Sequence, residues 1–295
     1  MISSSAIIKA AEDETGLKTT LDTPVLEGLN RLVDALNNEA PLSDKGWQSV
    51  QQILIGTLAN RIRVDDYLQR HPDLLDRPIE KPMFVFGLPR TGTTLVINLL
   101  NADPARRSLL RWESLNSVPP PEASKLSTDP RCLEAQKIVD LQLKYAPHIA
   151  AIHYEDADSP TECQFAMSQS FCAQYFEAIA EVPGYRDWFL NTSYFPAFSY
   201  HKRLLQLLQA NAPGRWTLKN PWHPLFLNDL AAIYPDAQLV MTHRDPVEVV
   251  GSCCSLIKHV RMMFSEDIDK RYIGESMMLD FGLIIAMPSN NVTMF

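Results

Sequence analysis

Residues Val85 to Thr94 read VFGLPRTGTT, and their spacing nearly matches a phosphate-binding loop. A Walker loop has the form G-x-x-x-x-G-K-[ST]. Here Gly87 and Gly92 keep that spacing, Thr93 stands in place of the lysine, and the cation lies inside the loop as Arg90. The glycines let backbone N–H groups approach an anion closely. The helix that follows offers unpaired donors and a positive partial charge. Thr93 and Thr94 add hydroxyls, and Arg90 adds a planar fork suited to phosphate or sulfate. The alternative is a plain turn between strand and helix. A Walker lysine serves the β- and γ-phosphates of a triphosphate, so its absence points to a ligand with a shorter, differently charged tail.

A second segment, THRDPVEVVGSCCSL, carries the same kind of chemistry. Arg244 ends a strand, and Ser252 follows eight residues later, about two turns into a helix. Both side chains can reach one oxyanion. Arg244 can equally pair with Asp245 or Glu248, and Ser252 can be a small packing residue. In ADSPTEC, Asp158 and Glu162 precede an apolar helix, and Ser159 with Glu162 fits a capping box, so local structure accounts for them.

These side chains need a frame that brings them together. "PMFVFG" reads as a buried strand and "TTLVINLLNADP" as a helix stopped near Pro104, so the glycine loop lies in the strand-to-helix context that a phosphate loop requires. "RWTLKN" is strand-like, "HPLFLNDLAAIYP" helical, "AQLVMTHR" a strand, and "PVEVVGSCCSLIKHV" a helix begun by Pro246. Strands alternating with helices imply a parallel sheet, and ligands of such sheets bind beyond the C-terminal strand ends. Arg90, Lys219 and Arg244 all fall there. The fold class is therefore α/β: a P-loop-like, three-layer α/β/α arrangement around a central parallel sheet.

Two helical regions accompany that core. Residues 1–80 place Leu26, Leu29, Leu32, Val33 and Leu36 on one helix face, and Val50, Ile53, Leu54, Leu58 and Ile62 on another. Residues 130–212 look mostly helical, broken by prolines, and form an inserted substrate-side segment. The expected organisation is one domain over 1–295, with a helical region to 80, a nucleotide-binding core over 81–275 and an atypical end over 276–295.

Composition narrows the function further. A net charge of −8 disfavours non-specific nucleic-acid binding. No apolar run is long enough to span a membrane, and the N-terminus lacks a secretory pattern, so a cytoplasmic protein is expected. The five cysteines include no C-x-x-C pair, and reduced, buried thiols are expected.

Taken together, these segments resemble the sulfotransferases that use 3′-phosphoadenosine 5′-phosphosulfate (PAPS). GLPRTGTT, then Trp112-Glu113, then Leu218 to His223, then His243 to Pro246 follow the order of that superfamily's broad bacterial and eukaryotic branch. The resemblance covers about residues 20–275. It implies that Arg90, Thr91, Gly92, Thr93 and Thr94 hold the 5′-phosphosulfate, and that Arg244 and Ser252 hold the 3′-phosphate. It places Lys219 near the bridging oxygen and Glu113 as the carboxylate base, with Arg90 also catalytic. It requires no metal and leaves PAP as product. The acceptor is a hydroxyl, or an amine, of a small molecule, lipid or carbohydrate. The proton chemistry agrees, since a carboxylate can take a hydroxyl proton while cations stabilise the leaving phosphate. Glu113 can instead pair with an arginine such as Arg111, and Lys219 can be a solvated strand-end lysine. His153, His223 and His243 are alternative bases, or packing histidines.

The resemblance leaves two points of difference. Leu95 occupies the region where cytosolic relatives carry an adenine-stacking Trp, and the last fifteen or so residues look unlike the family, as a truncation or altered reading would. Two other functions compete: a nucleotide kinase or ATPase with a variant loop, and a nucleotide-binding homologue that is catalytically impaired.

Overall fold

Ser3 and Ser43 each stand one residue before a helix of the N-terminal region. Their hydroxyls accept from Ala6 N and Gly46 N, satisfying amides that have no intrahelical acceptor. The computed structural model describes residues 2–145 and 154–286, and gives α1 as Ser4–Thr15, α2 as Thr23–Asn38 and α3 as Asp44–Arg70. α2 buries Leu29, Leu32, Val33 and Leu36 as its spacing predicts, but it buries Val25 in place of Leu26, which is 38% exposed. Helix geometry explains the difference: Val25 points about 40° from Leu29, toward Leu32 and Leu36, whereas Leu26 points about 60° to the other side. α3 buries Val50, Leu54, Leu58 and Ile62, while Ile53 is only half-buried.

The remaining elements follow in order. β1 is Met83–Phe86, α4 Thr93–Asn101, β2 Arg106–Ser108, α5 Arg111–Leu115 and α6 Pro130–Tyr145. Then come α7 (Cys163–Met167), α8 (Tyr175–Ile179), α9 (Pro183–Asn191) and α10 (Phe195–Leu208). β3 is Arg215–Lys219, α11 Leu227–Ile233, β4 Gln238–Met241, α12 Pro246–Arg261 and α13 Lys270–Ile285. The helix read over "HPLFLNDLAAIYP" is a 3-10 turn at His223–Phe226 followed by α11. β2 has no counterpart among the strands read from the sequence.

The four strands are all parallel and lie in the order β2-β3-β1-β4. Phe84 of β1 sits opposite Leu218 on one side and Leu239 on the other. Helices flank this sheet, which is the α/β class read from the alternation. Phe84, Phe86, Trp216 and Leu218 join the buried residues of α1, α2, α3 and α10 in one core. A second core holds Leu88 of the glycine loop against Trp222, the α12 residues Val249, Cys253 and Ile257, and the α13 residues Ile273, Met277, Phe281 and Ile284.

α13 runs across position 276 and is tied down by buried charge. Arg186 of α9 pairs with Asp280 and, at 3.3 Å, with Glu177 of α8. Arg261 at the end of α12 reaches Glu177 and Glu181. Arg261 also donates to the Glu177 carbonyl at 2.9 Å. All five cysteines are free thiols, four of them buried. Among the described residues, no helix is long and apolar enough to cross a membrane.

Candidate active site at the C-terminal strand ends

The chain leaves β1 through a turn that only glycine can make at its first residue. Gly87 has φ 152°, and a Cβ there would lie 2.4 Å from the Thr242 carbonyl oxygen and 2.8 Å from Thr91 Oγ1. β1 and β4 are neighbours in the sheet, so the glycine lets the loop press against the residue that follows β4. Thr242 N donates to Phe86 O at 2.8 Å, and the Thr242 hydroxyl lies 2.6 Å from that of Thr91. Thr91 Oγ1 in turn donates to Leu88 O at 2.7 Å. The Thr91 hydroxyl therefore braces the loop, which leaves its backbone as its means of meeting a ligand.

Gly92 adopts φ 93° as the residue before α4, and Arg90 adopts φ 73°. A left-handed arginine costs on the order of 1 kcal/mol, and here it turns the guanidinium toward α12. Arg90 Nε donates to Ser252 Oγ at 3.2 Å. The loop cation and the helix serine, 162 positions apart, are thus brought together. The first-turn amides of α4 lack intrahelical acceptors and open at the same end of the sheet. A Cβ on Gly92 would meet no atom within 4 Å, so the backbone there is open to close approach. A loop with these donors beside Arg90 and Ser252 fits a phosphorylated or sulfated group.

Arg244 lies at the same edge but is spent locally. It pairs with Glu248 at 2.7 Å, and both side chains are more than half exposed. This is one of the two local pairs open from the sequence. Such a surface pair contributes roughly 0–1 kcal/mol, so an anion can displace Glu248 cheaply.

Lys219 ends β3 with no exposed surface. Its ammonium donates to Thr94 Oγ1 at 3.3 Å and lies 3.1 Å from Glu162 Oε1. The two backbones also meet, Glu162 and Lys219 forming a parallel bridge. Gln164 Nε2 donates to the other Glu162 oxygen. A carboxylate, an ammonium and a loop hydroxyl thus form one contiguous group where the strands end. Lys219 is not the solvated lysine that a strand end allows.

Glu162 does not make the expected capping box. The Ser159 hydroxyl accepts from Asp156 N, and the Glu162 side chain turns to Lys219. The signal that could have found it is electrostatic. A lysine at the end of a buried strand needs a buried anion, because an unpaired charge there is too costly.

Glu113 is fully buried on α5. Arg107 Nη2 donates to Oε1 at 2.6 Å, and Leu110 N donates to Oε2 at 3.2 Å. The expected alternative of an arginine pair is therefore realised, with Arg107 rather than Arg111. Burial raises the Glu113 pKa, and the Arg107 charge beside it works in the opposite direction. Thr93 is buried, and Thr94 is half-buried under Lys219.

His223 packs edge-on to Phe84 at 5.2 Å and near Phe198 at 5.5 Å. Neither ring nitrogen has a hydrogen-bond partner among the described residues, and burial holds its pKa well below the usual histidine range. It is a neutral packing histidine. His243 is exposed just beyond β4, and His153 lies outside the described residues.

Comparisons with known proteins point the same way. The family model described as "Sulfotransferase family" matches residues 82–281. The crystal structure of sulfotransferase STF9 from Mycobacterium avium is 34% identical with a TM-score of 0.91, covering 97% of this chain and 74% of that one. The crystal structure of sulfotransferase STF1 from Mycobacterium tuberculosis H37Rv is 31% identical with a TM-score of 0.88, covering 96% of this chain and 79% of that one. No curated protein matches the chain.

Proposed function

The chain belongs to the sulfotransferase family, and from that premise we propose that it moves a sulfuryl group from PAPS to a hydroxyl or amine acceptor. The observation that carries the reading is the contact of Lys219 with both Thr94 and Glu162 at the mouth of the glycine loop. When bound, PAPS supplies an activated sulfuryl group whose transfer leaves a phosphate. The amides of Gly92, Thr93 and Thr94, with Arg90, would hold the 5′-phosphosulfate, and Thr91 would contribute only through its backbone. Ser252 and Arg244 would hold the 3′-phosphate, Arg244 by exchanging Glu248 for it.

Lys219 would stabilise negative charge beside Thr94, to which it donates at 3.3 Å. It is buried, where each such interaction is stronger than in water. Glu162 is the proton acceptor that the geometry favours. Its side chain lies 3.1 Å from the Lys219 ammonium, and the acceptor's proton would pass to it as the new bond to sulfur forms. Glu113, the base implied by the resemblance, has no exposed surface and pairs with Arg107 at 2.6 Å, whereas the Glu162 side chain, although also engaged at both oxygens, by Lys219 and Gln164, keeps 10% of its surface exposed beside the Lys219–Thr94 contact. The role of Glu113 in this reading is to hold α5 against β2.

The test is calorimetric titration of the full chain with PAP. The wild type should bind one equivalent. Ser252→Ala and Arg90→Ala should each weaken binding roughly tenfold, the loss of one charge-assisted hydrogen bond. Absence of PAP binding by the wild type would remove the reading.

A further inference from the structure

Resting on that sulfuryl-transfer reading, with Glu162 as its proton acceptor, we propose that Gln164 is a positioning residue that fixes the orientation of the Glu162 carboxylate. The backbone sets where Glu162 starts. It stands one residue before α7 with extended dihedrals, φ −85° and ψ 141°, and bridges Lys219 of β3. Its side chain makes no cap bond to α7. The Lys219 ammonium, 3.1 Å from Oε1, restrains how far the side chain reaches. That single contact leaves rotation about the last bond of the glutamate open, because this torsion is intrinsically broad. Gln164 Nε2 donates to Oε2 and closes the rotation. The series Gln164–Glu162–Lys219–Thr94 then runs unbroken from α7 to the glycine loop.

Gln164 holds this position at the expense of its own carbonyl. Gln164 Oε1 is buried with no hydrogen-bond partner among the described residues. The carboxylate dictates that arrangement, since the amide turned the other way would set one acceptor against another. A buried acceptor without a donor loses its hydration and gains nothing in exchange. An apolar side chain of the same length would avoid that loss, so the amide is accounted for by what its N–H group does for Glu162. The donor is also uncharged. A second cation beside Lys219 would favour the carboxylate over its protonated form and weaken it as a base, whereas an amide orients it with a smaller effect. Glu113, held by the Arg107 guanidinium, shows the charged alternative.

Gln164→Met tests this, since it keeps the side-chain length and removes both polar atoms. Transfer is followed in the full chain from labelled PAPS to whichever of a panel of simple alcohols, phenols and sugars the wild type sulfates fastest. The variant should lower kcat roughly tenfold, the loss of one hydrogen bond to a charged group. KM for the acceptor and PAP affinity should stay within about twofold of wild type. The urea midpoint should be unchanged or raised, because the orphaned carbonyl is removed together with the bond. In a Glu162→Gln background the same substitution should change kcat by less than about twofold, as expected of a residue that acts only through Glu162. Gln164→Asn, whose shorter amide cannot reach Oε2 from the same backbone, should behave alike and carries the test if the methionine variant fails to fold. Wild-type kcat in the variants, or an equal loss in both backgrounds, would overturn the proposal. A wild type that transfers no sulfate from PAPS counts against the transferase reading instead. Crystal structures of wild type and Gln164→Met then decide this proposal without turnover. Glu162 Oε2 should leave its position in the variant while Lys219 stays on Thr94, and an unmoved carboxylate would overturn it.

Discussion

Replacing Lys219 by Met should be among the most damaging single changes at the site, through folding as well as function. Lys219 has no exposed surface, and the Glu162 side chain is only 10% exposed, at 3.1 Å. At an effective dielectric near 20, two unit charges at that distance attract by about 5 kcal/mol, much of it offset by desolvation. Removing one partner of such a pair leaves the other charge buried, which costs about 3–5 kcal/mol. That is a large part of a domain stability of about 5–15 kcal/mol. Glu162→Gln should cost less, about 1–3 kcal/mol, because the Lys219 ammonium keeps Thr94 and the amide oxygen as acceptors. The double variant should lose less than the sum of the single losses, with a coupling of about 1–3 kcal/mol. Urea unfolding of all four proteins measures the cycle. A Lys219→Met loss below about 1 kcal/mol, or strict additivity, would show that the pair does not hold the site as argued.

Three further outcomes follow from other parts of the molecule. Gly87→Ala should destabilise by at least about 2 kcal/mol and abolish PAP binding, because its Cβ would collide with Thr242 while the backbone is held at positive φ; a variant of normal stability and affinity would contradict the loop geometry. Arg244→Ala should change the unfolding free energy by less than about 1 kcal/mol yet weaken PAP roughly tenfold, since only a surface pair is lost on folding; calorimetry showing unchanged affinity would remove Arg244 from the site. Burial pushes the Glu177 pKa up to about 7 from 4.5. A raised carboxyl pKa stabilises the fold fully below the unfolded value, and that contribution is lost as pH rises through the folded one, so stability should fall between about pH 4.5 and 7. Denaturation across that range with Glu177→Gln should show a flatter slope, and an unchanged slope would assign the effect elsewhere.

What the sequence made legible was local. The glycine loop between β1 and α4 is written within ten residues, and Pro246 marks the start of α12. The two candidate anion-binding segments could be paired because both sit at strand ends, and a parallel sheet brings those ends to one edge. What stayed hidden depends on partners far along the chain. Glu162 matches a capping pattern within its own segment, and its actual partner Lys219 is 57 positions away. β2 is Arg106-Arg107-Ser108, three polar residues that form a strand only because β3 lies alongside. Glu113 was legible as a candidate base, but Arg107 lies on β2, so its commitment to an ion pair was hidden with that strand. Leu26 was misplaced because a flank position satisfies the helical repeat almost as well as the true face.

The most direct measurement compares wild type, Glu162→Gln and Glu113→Gln for transfer of labelled sulfate from PAPS to a panel of hydroxyl acceptors, with PAP affinity measured beside it. The wild type should transfer label. Glu162→Gln should lower kcat at least about 100-fold with PAP affinity unchanged, as loss of a general base does. Glu113→Gln should act through stability, its folded fraction retaining most of the rate. Full turnover by Glu162→Gln, or a rate lost in folded Glu113→Gln instead, would contradict the assignment.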